Sequence, residues 1–140
     1  MNSTNNRRIG LCLDHSQAKF IDINKSIVII ETTLADETLY EHFEGEAAIG
    51  VRLGNKRATN SEHHRHNITR RIRADYFKLL VDRLKAYDDI YLFGPTEAKD
   101  ELYNLLVADK HFANKAINVE SCDKLTENQM VARVRKFFNL

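Results

Sequence analysis

Between Arg52 and Arg73 the chain reads RLGNKRATNSEHHRHNITRRIR. Seven cations (Arg52, Lys56, Arg57, Arg65, Arg70, Arg71 and Arg73), three histidines (His63, His64 and His66) and a single acid, Glu62, stand in it. The 140-residue chain has 21 basic and 20 acidic residues, so this segment is +6 and the remainder −5. Positive charge gathered into one stretch is what a polyanion requires, because each phosphate neutralised releases condensed counterions. Arginine suits the task, since its planar fork meets phosphate oxygens bidentately. Lys56, Arg57, Arg65, Arg70, Arg71 and Arg73 are the candidate phosphate contacts. His63, His64 and His66 are candidate partners for RNA bases, which imidazole rings stack on or hydrogen-bond. A solvated loop beside a charged helix has the same composition and no ligand.

The histidines raise the question of a metal. A structural site closes four positions. If the segment is helical, His63 and His66 face one way and His64 the other, and no cysteine or acid pair lies at a telling distance. Neither a metal nor another cofactor is expected.

The length suits one domain able to bury a core without staples, so residues 1–140 are read as a single domain. With 43% apolar and 29% charged residues, five Gly and one Pro, the composition excludes a low-complexity chain. Cys12 and Cys122 have no metal-type spacing and fit reduced thiols in a cytoplasmic protein. The start, MNSTNNRR, has no apolar run and does not read as a signal peptide. No stretch approaches the roughly 20 apolar residues of a membrane span, so no membrane partner is expected. The tail through Asn6 is expected to be mobile. Oligomeric state cannot be read from the pattern.

Three apolar runs open the chain: Arg8–Asp14, Ala18–Ile23 and Ser26–Thr33. The turns between them, Asp14-His15-Ser16-Gln17 and Asn24-Lys25, are short, which makes neighbouring strands antiparallel. Leu34–Gly54 reads as a short helix or an irregular excursion. Residues 52–66 are predicted to be an exposed basic and histidine-rich loop. From Asn67, a plausible N-cap, Ile68, Ile72, Tyr76, Leu80 and Leu84 recur every four residues. Phe77 and Leu79 widen the stripe, predicting a helix to about Ala86. Arg70, Arg71 and Arg73 would then oppose the helix dipole on its first two turns, at a few tenths of a kcal/mol each. A strand (Asp89–Gly94) follows, then a helix (Thr96–Ala108) with Ala98, Leu102, Leu105 and Leu106 inward. A strand (Lys115–Ser121) and a last helix from Glu127 complete the pattern. Thr126 and Gln129 form a capping box for that helix, with Leu125 and Met130 at the staple positions. Val131, Val134, Phe137 and Phe138 supply its core face. The order β-β-β-α-β-α-β-α predicts an α/β protein with a mixed five-stranded sheet and helices on its faces. This is the order of ribonuclease H-like folds.

The run HNITRRIRADYFKLLVDRLKAYDDIYLFGPTEAKDELYN, with the histidine-rich stretch before it, resembles the middle domain of eukaryotic and archaeal class I release factors and of Pelota. It is more similar still to bacterial and archaeal release-factor-like proteins. In that family a loop after the meander leads into a long helix with a basic start. A strand ending in Gly-Pro or Gly-Ser follows, here Leu92-Phe93-Gly94-Pro95, and then a helix opening with an acid and lysine, here Glu97-Ala98-Lys99. The motif-level match covers about Ser61 to Asn104, and the element order nearly the whole chain. The resemblance implies a ribonuclease H-like fold of the translational-machinery-component type, with the ribosome, ribosomal RNA or transfer RNA as partner. Release factors carry Gly-Gly-Gln in this loop; here Asn60-Ser61-Glu62-His63-His64-Arg65 stands there, and the codon-reading and partner-binding domains of those factors are not expected in these 140 residues.

Enzymes of the ribonuclease H class hold two metals with several carboxylates. Asp14 ends the first strand and Asp75 lies on the long helix, but the fourth strand ends Gly94-Pro95 without an acid. Asp14 reads equally as a turn former, and Asp75 as a helix partner of Lys78 or Arg71. Thr96 reads as a cap in a tight turn, and GPTEAK is no phosphate-binding glycine loop. Cys12 and Cys122 read as small core hydrophobes. The favoured reading is a non-catalytic RNA- or ribosome-associated domain. The alternatives are a hydrolase of peptidyl-tRNA or RNA using the histidine-rich loop, and a protein–protein interaction module.

Overall fold

A computed structural model describes residues 6–35 and 58–140, with the backbone alone between 58 and 67. The elements are β1 (Arg8–Leu13), β2 (Gln17–Asn24), β3 (Ile27–Leu34), α1 (Ala58–Leu84), β4 (Asp89–Gly94), α2 (Ala98–Val107), a short 3-10 turn (Lys110–Phe112), β5 (Ala116–Ser121) and α3 (Glu127–Phe138). The chain divides into two compact units, Met1–Thr33 with Leu80–Leu140, and Leu34–Leu79. The expected excursion at 34–54 falls almost wholly outside the described residues, as does the tail before Asn6.

In the first unit the strands form one sheet in the order β3-β2-β1-β4-β5. β1 pairs antiparallel with β2, Gly10 opposite Ile21, and parallel with β4, Leu11 beside Leu92. β4 and β5 are parallel, with Leu92 beside Val119. Asp14 makes the β1–β2 turn: its Oδ1 accepts from the backbone N–H of Ser16 (2.7 Å) and Gln17 (2.9 Å), as a turn-forming aspartate does. The two-residue turn between β2 and β3 can join only antiparallel neighbours. Its Lys25 holds a left-handed φ of 60°, a conformation that favours glycine and strains other residues.

Central strands are covered on both faces, which explains their unbroken apolar runs. Ile9, Leu11, Leu13, Ile90, Tyr91, Leu92 and Phe93 are all buried. α2 lies against β1, β4 and β5 and buries Ala98, Leu102 and Leu106. Leu105, expected to point inward, is exposed: Ala98, Leu102 and Leu106, four residues apart, already form the core line of this ten-residue helix, and Leu105 falls about 100° from Leu106. The opposite face packs Cys12, Ile21, Ile23, Tyr91 and Phe93 with Met130 and Val134 of α3. A Cβ on Gly10 would come within 2.4 Å of Val134 Cγ2, so only glycine lets α3 cross β1 this closely. The capping box is formed: Thr126 Oγ1 accepts from Gln129 N–H (3.2 Å), and Gln129 Oε1 accepts from Thr126 N–H (2.8 Å). Leu125, Val131, Phe137 and Phe138 pack on the same cluster as Met130.

α1 starts at Ala58, not at Asn67. Residues 58–66, expected as loop, are therefore helical, and Asn67 is an interior helix position rather than a cap. The stretch ATNSEHHRHN has no apolar period, so it gives no pattern signal although it can continue a helix. Tyr76 and Phe77 are buried with ring centroids 5.5 Å apart. Leu79, expected in the stripe, is exposed. In the first unit, Leu80 and Leu84 are fully buried. Arg83 there bonds Glu31, donates to Thr33 Oγ1 (3.1 Å) and lies 4.3 Å over the Phe20 ring.

Candidate nucleic-acid interface

Arg70, Arg71 and Arg73 are exposed on α1, while Ile68 and Ile72 are half-buried. At 100° per residue, Arg70 and Arg73 are neighbours on one line of the helix and Arg71 lies a quarter-turn away. The helix backbone puts positions 63 and 66 on the line that continues to 70 and 73, and position 64 on the line of 71. The line of Arg70 and Arg73 lies about 100° or more around the helix from Ile68 and Ile72, and position 65 is in register with Ile72. The early helix start also removes the expected dipole cost. Arg70 lies three turns inside the helix, and the end effect fades within the first turn. Lys56 and Arg57 lie outside the described residues.

The first unit holds further polar groups in places the sequence pattern did not single out. Tyr91 on β4, Glu120 on β5 and Arg133 on α3 form a closed trio. The Tyr91 hydroxyl donates to Glu120 Oε1 (2.5 Å) and accepts from Arg133 Nε (2.8 Å), and Arg133 Nη2 lies 3.2 Å from Glu120 Oε1. Burial, followed by the Glu120 carboxylate, pushes the Tyr91 phenol up to about 12. Tyr91 stacks on Phe137 at 4.0 Å and on Phe93 at 4.9 Å, so its ring serves packing while its hydroxyl ties three elements. Burial pushes the Cys12 thiol up to about 12, reinforced by Cys122 and Asp14, and burial also raises Cys122. Both are free thiols held neutral, unsuited to nucleophilic work.

At the carboxyl ends of β1, β4 and β5 lies an open crevice bordered by His15, Thr96, Lys99, Glu101 and Ser121. His15 Nε2 is 3.0 Å from Glu101 Oε2. Lys99, only 3% exposed, donates to the Thr96 carbonyl (2.6 Å) and lies 3.4 Å from Asp100 Oδ2. The N-cap position of α2 is Glu97, without a side-chain cap bond, and Thr96 Oγ1 instead accepts from Ala98 N–H (3.3 Å). A Cβ on Gly94 would come within 2.4 Å of the Leu13 carbonyl oxygen, which fixes glycine at the end of β4. This is where ligands sit in open α/β sheets. Here the Asp14 carboxylate holds the β1–β2 turn, and acids already surround the helix start. Among the described residues, no three His, Cys, Asp or Glu side chains gather as a metal site, and no helix is long and apolar enough to cross a membrane.

A mixed sheet in the order β3-β2-β1-β4-β5, with helices on its faces, defines an α/β protein of the ribonuclease H-like type, as the element order predicts. Among solved structures, the Pelota protein of Thermoplasma acidophilum is similar in fold, with a TM-score of 0.53 and 15% identity over 96% of this chain. The chain spans 32% of that protein's length, so the likeness is to a Pelota domain. No family model and no curated protein matches the sequence.

Proposed function

We propose that the chain is a non-catalytic RNA-binding domain of the translation machinery, holding ribosomal or transfer RNA phosphate through the basic part of α1. The observation that carries this reading is the exposure of Arg70, Arg71 and Arg73 on a helix whose backbone continues without a break from the His63–His66 stretch. A rigid helix presents guanidinium groups at fixed spacing, which suits a phosphate chain better than a loop does. The Pelota-like fold supports the choice of partner, because the sequence resemblance to release-factor middle domains falls on this same helix. The Gly-Gly-Gln of release factors is missing from the segment, which turns the reading from peptide release to binding.

The test is co-sedimentation with ribosomes from the protein's own cell extract. Replacing Arg70, Arg71 and Arg73 with Glu abolishes it while the circular dichroism spectrum stays unchanged. Undiminished co-sedimentation of the folded triple variant would exclude these residues. Turnover of labelled peptidyl-tRNA that disappears when His63, His64 and His66 become Ala would replace binding with hydrolysis.

A further inference from the structure

The start of β1, the β2–β3 turn and the residues after α1 meet in an open groove of about 640 Å³, within the usual size of small-ligand sites, roughly 300–1,000 Å³. Arg7, Arg8 and Lys25 line it together with Asp22 and Tyr87. All five belong to the first unit.

The two arginines are held in place. The Arg7 carbonyl accepts from the N–H of Asp88 (2.8 Å) and Asp89 (3.0 Å), and its own N–H donates to Asp88 Oδ2 (3.0 Å). Its guanidinium lies 4.7 Å over the Tyr87 ring, and that of Arg8 lies 5.9 Å over Phe138. A guanidinium over an aromatic ring still has N–H donors to offer an oxygen ligand. Lys25 lines the same groove from the β2–β3 turn, at a left-handed position that glycine would fill without strain. Asp22 in the groove and Asp89 beside Arg8 offset part of the positive charge. Close hydrogen bonding to a compact group therefore suits this groove better than long-range attraction of a polyanion.

We propose that the groove binds the phosphate group of a small phosphorylated ligand through Arg7, Arg8 and Lys25, with Asp22 accepting a hydrogen bond from a hydroxyl of that ligand. The site is independent of the RNA contacts on α1.

Calorimetric titration of the full chain with adenosine 5′-monophosphate tests this, with inorganic pyrophosphate as the probe lacking a sugar hydroxyl. The nucleotide binds saturably at one site. Lys25→Gly and the pair Arg7→Gln with Arg8→Gln each weaken it about tenfold or more, as loss of a charge-assisted bond does. Lys25→Gly keeps or raises the thermal midpoint, so its loss of affinity is not unfolding. Asp22→Asn weakens the nucleotide and spares pyrophosphate. Replacing Arg70, Arg71 and Arg73 with Glu changes neither affinity, even where ribosome binding fails. Absence of saturable binding, indifference to Lys25→Gly, or loss in the α1 variant would each overturn the site. Equal effects of Asp22→Asn on both probes would overturn the hydroxyl contact.

Discussion

Tyr91 joins two strands and a helix through one hydroxyl, and its proton is held by the fold. Burial and the Glu120 carboxylate raise its pKa to about 12, whereas an unfolded tyrosine titrates near ~10. The native state therefore keeps this proton over a range in which the unfolded chain loses it. The stabilisation is complete below about pH 10 and is lost as pH rises toward 12. Tyr91→Phe removes both hydrogen bonds and the titration together. At pH 9 the variant is less stable than the parent by about 1 kcal/mol, a low value for charge-assisted bonds because Glu120 and Arg133 stay paired near solvent. Urea unfolding at pH 9 and pH 11 checks the assignment: the difference between the two proteins narrows at the higher pH. A constant difference would mean that the Tyr91 proton is not linked to folding.

Among the elements, α3 shows how directly local chemistry can be read. Thr126 and Gln129 announce its start, and both reciprocal bonds are present. Thr126→Ala removes the acceptor for Gln129 N–H and costs about 1 kcal/mol, with faster amide exchange in the first turn of α3. Thr126→Ser restores both. The strands are equally legible, since β4 matches its predicted span and the others differ by one or two residues. Their apolar runs and short turns determine pairing without help from distant residues. Where the prediction fails, the local signal is weak or misleading. α1 begins before its apolar period does, because Ala58–Asn67 can be helical without packing, and Asn67 offers credible cap chemistry at the wrong place. Leu79 and Leu105 are apolar residues that the packing leaves exposed, which composition alone cannot reveal. The candidate site divides in the same way. Arg70, Arg71 and Arg73 fall off the apolar stripe and so are predicted at the surface. Arg7 and Arg8 are neighbours in sequence but meet Lys25 only through the sheet, and Tyr91, Glu120 and Arg133 lie far apart along the chain until the sheet and α3 bring them together.

At the scale of the whole molecule, charge distribution distinguishes the proposed RNA contact from binding to another protein. The Arg52–Arg73 segment is +6 against −5 for the rest, so attraction to a polyanion is local and the remaining surface repels it. Binding through phosphates releases counterions, and log K then falls linearly with log salt, by about 0.7 for each phosphate neutralised on a single strand. If Arg70, Arg71 and Arg73 each neutralise one phosphate, changing all three to Gln lowers the slope by about 2. The affinity also falls, about equally for unrelated sequences, because phosphate contacts carry no base information. Fluorescence anisotropy with two single-stranded RNA oligomers of different sequence, across a series of potassium chloride concentrations, measures both quantities. Gln is the informative replacement: it removes the charge without the added repulsion of Glu, so the change in slope reports how many phosphates these arginines neutralise. A slope near zero in the parent chain would reject phosphate contact as the source of binding. An unchanged slope in the triple Gln variant would move the phosphate contacts to Lys56, Arg57 and Arg65.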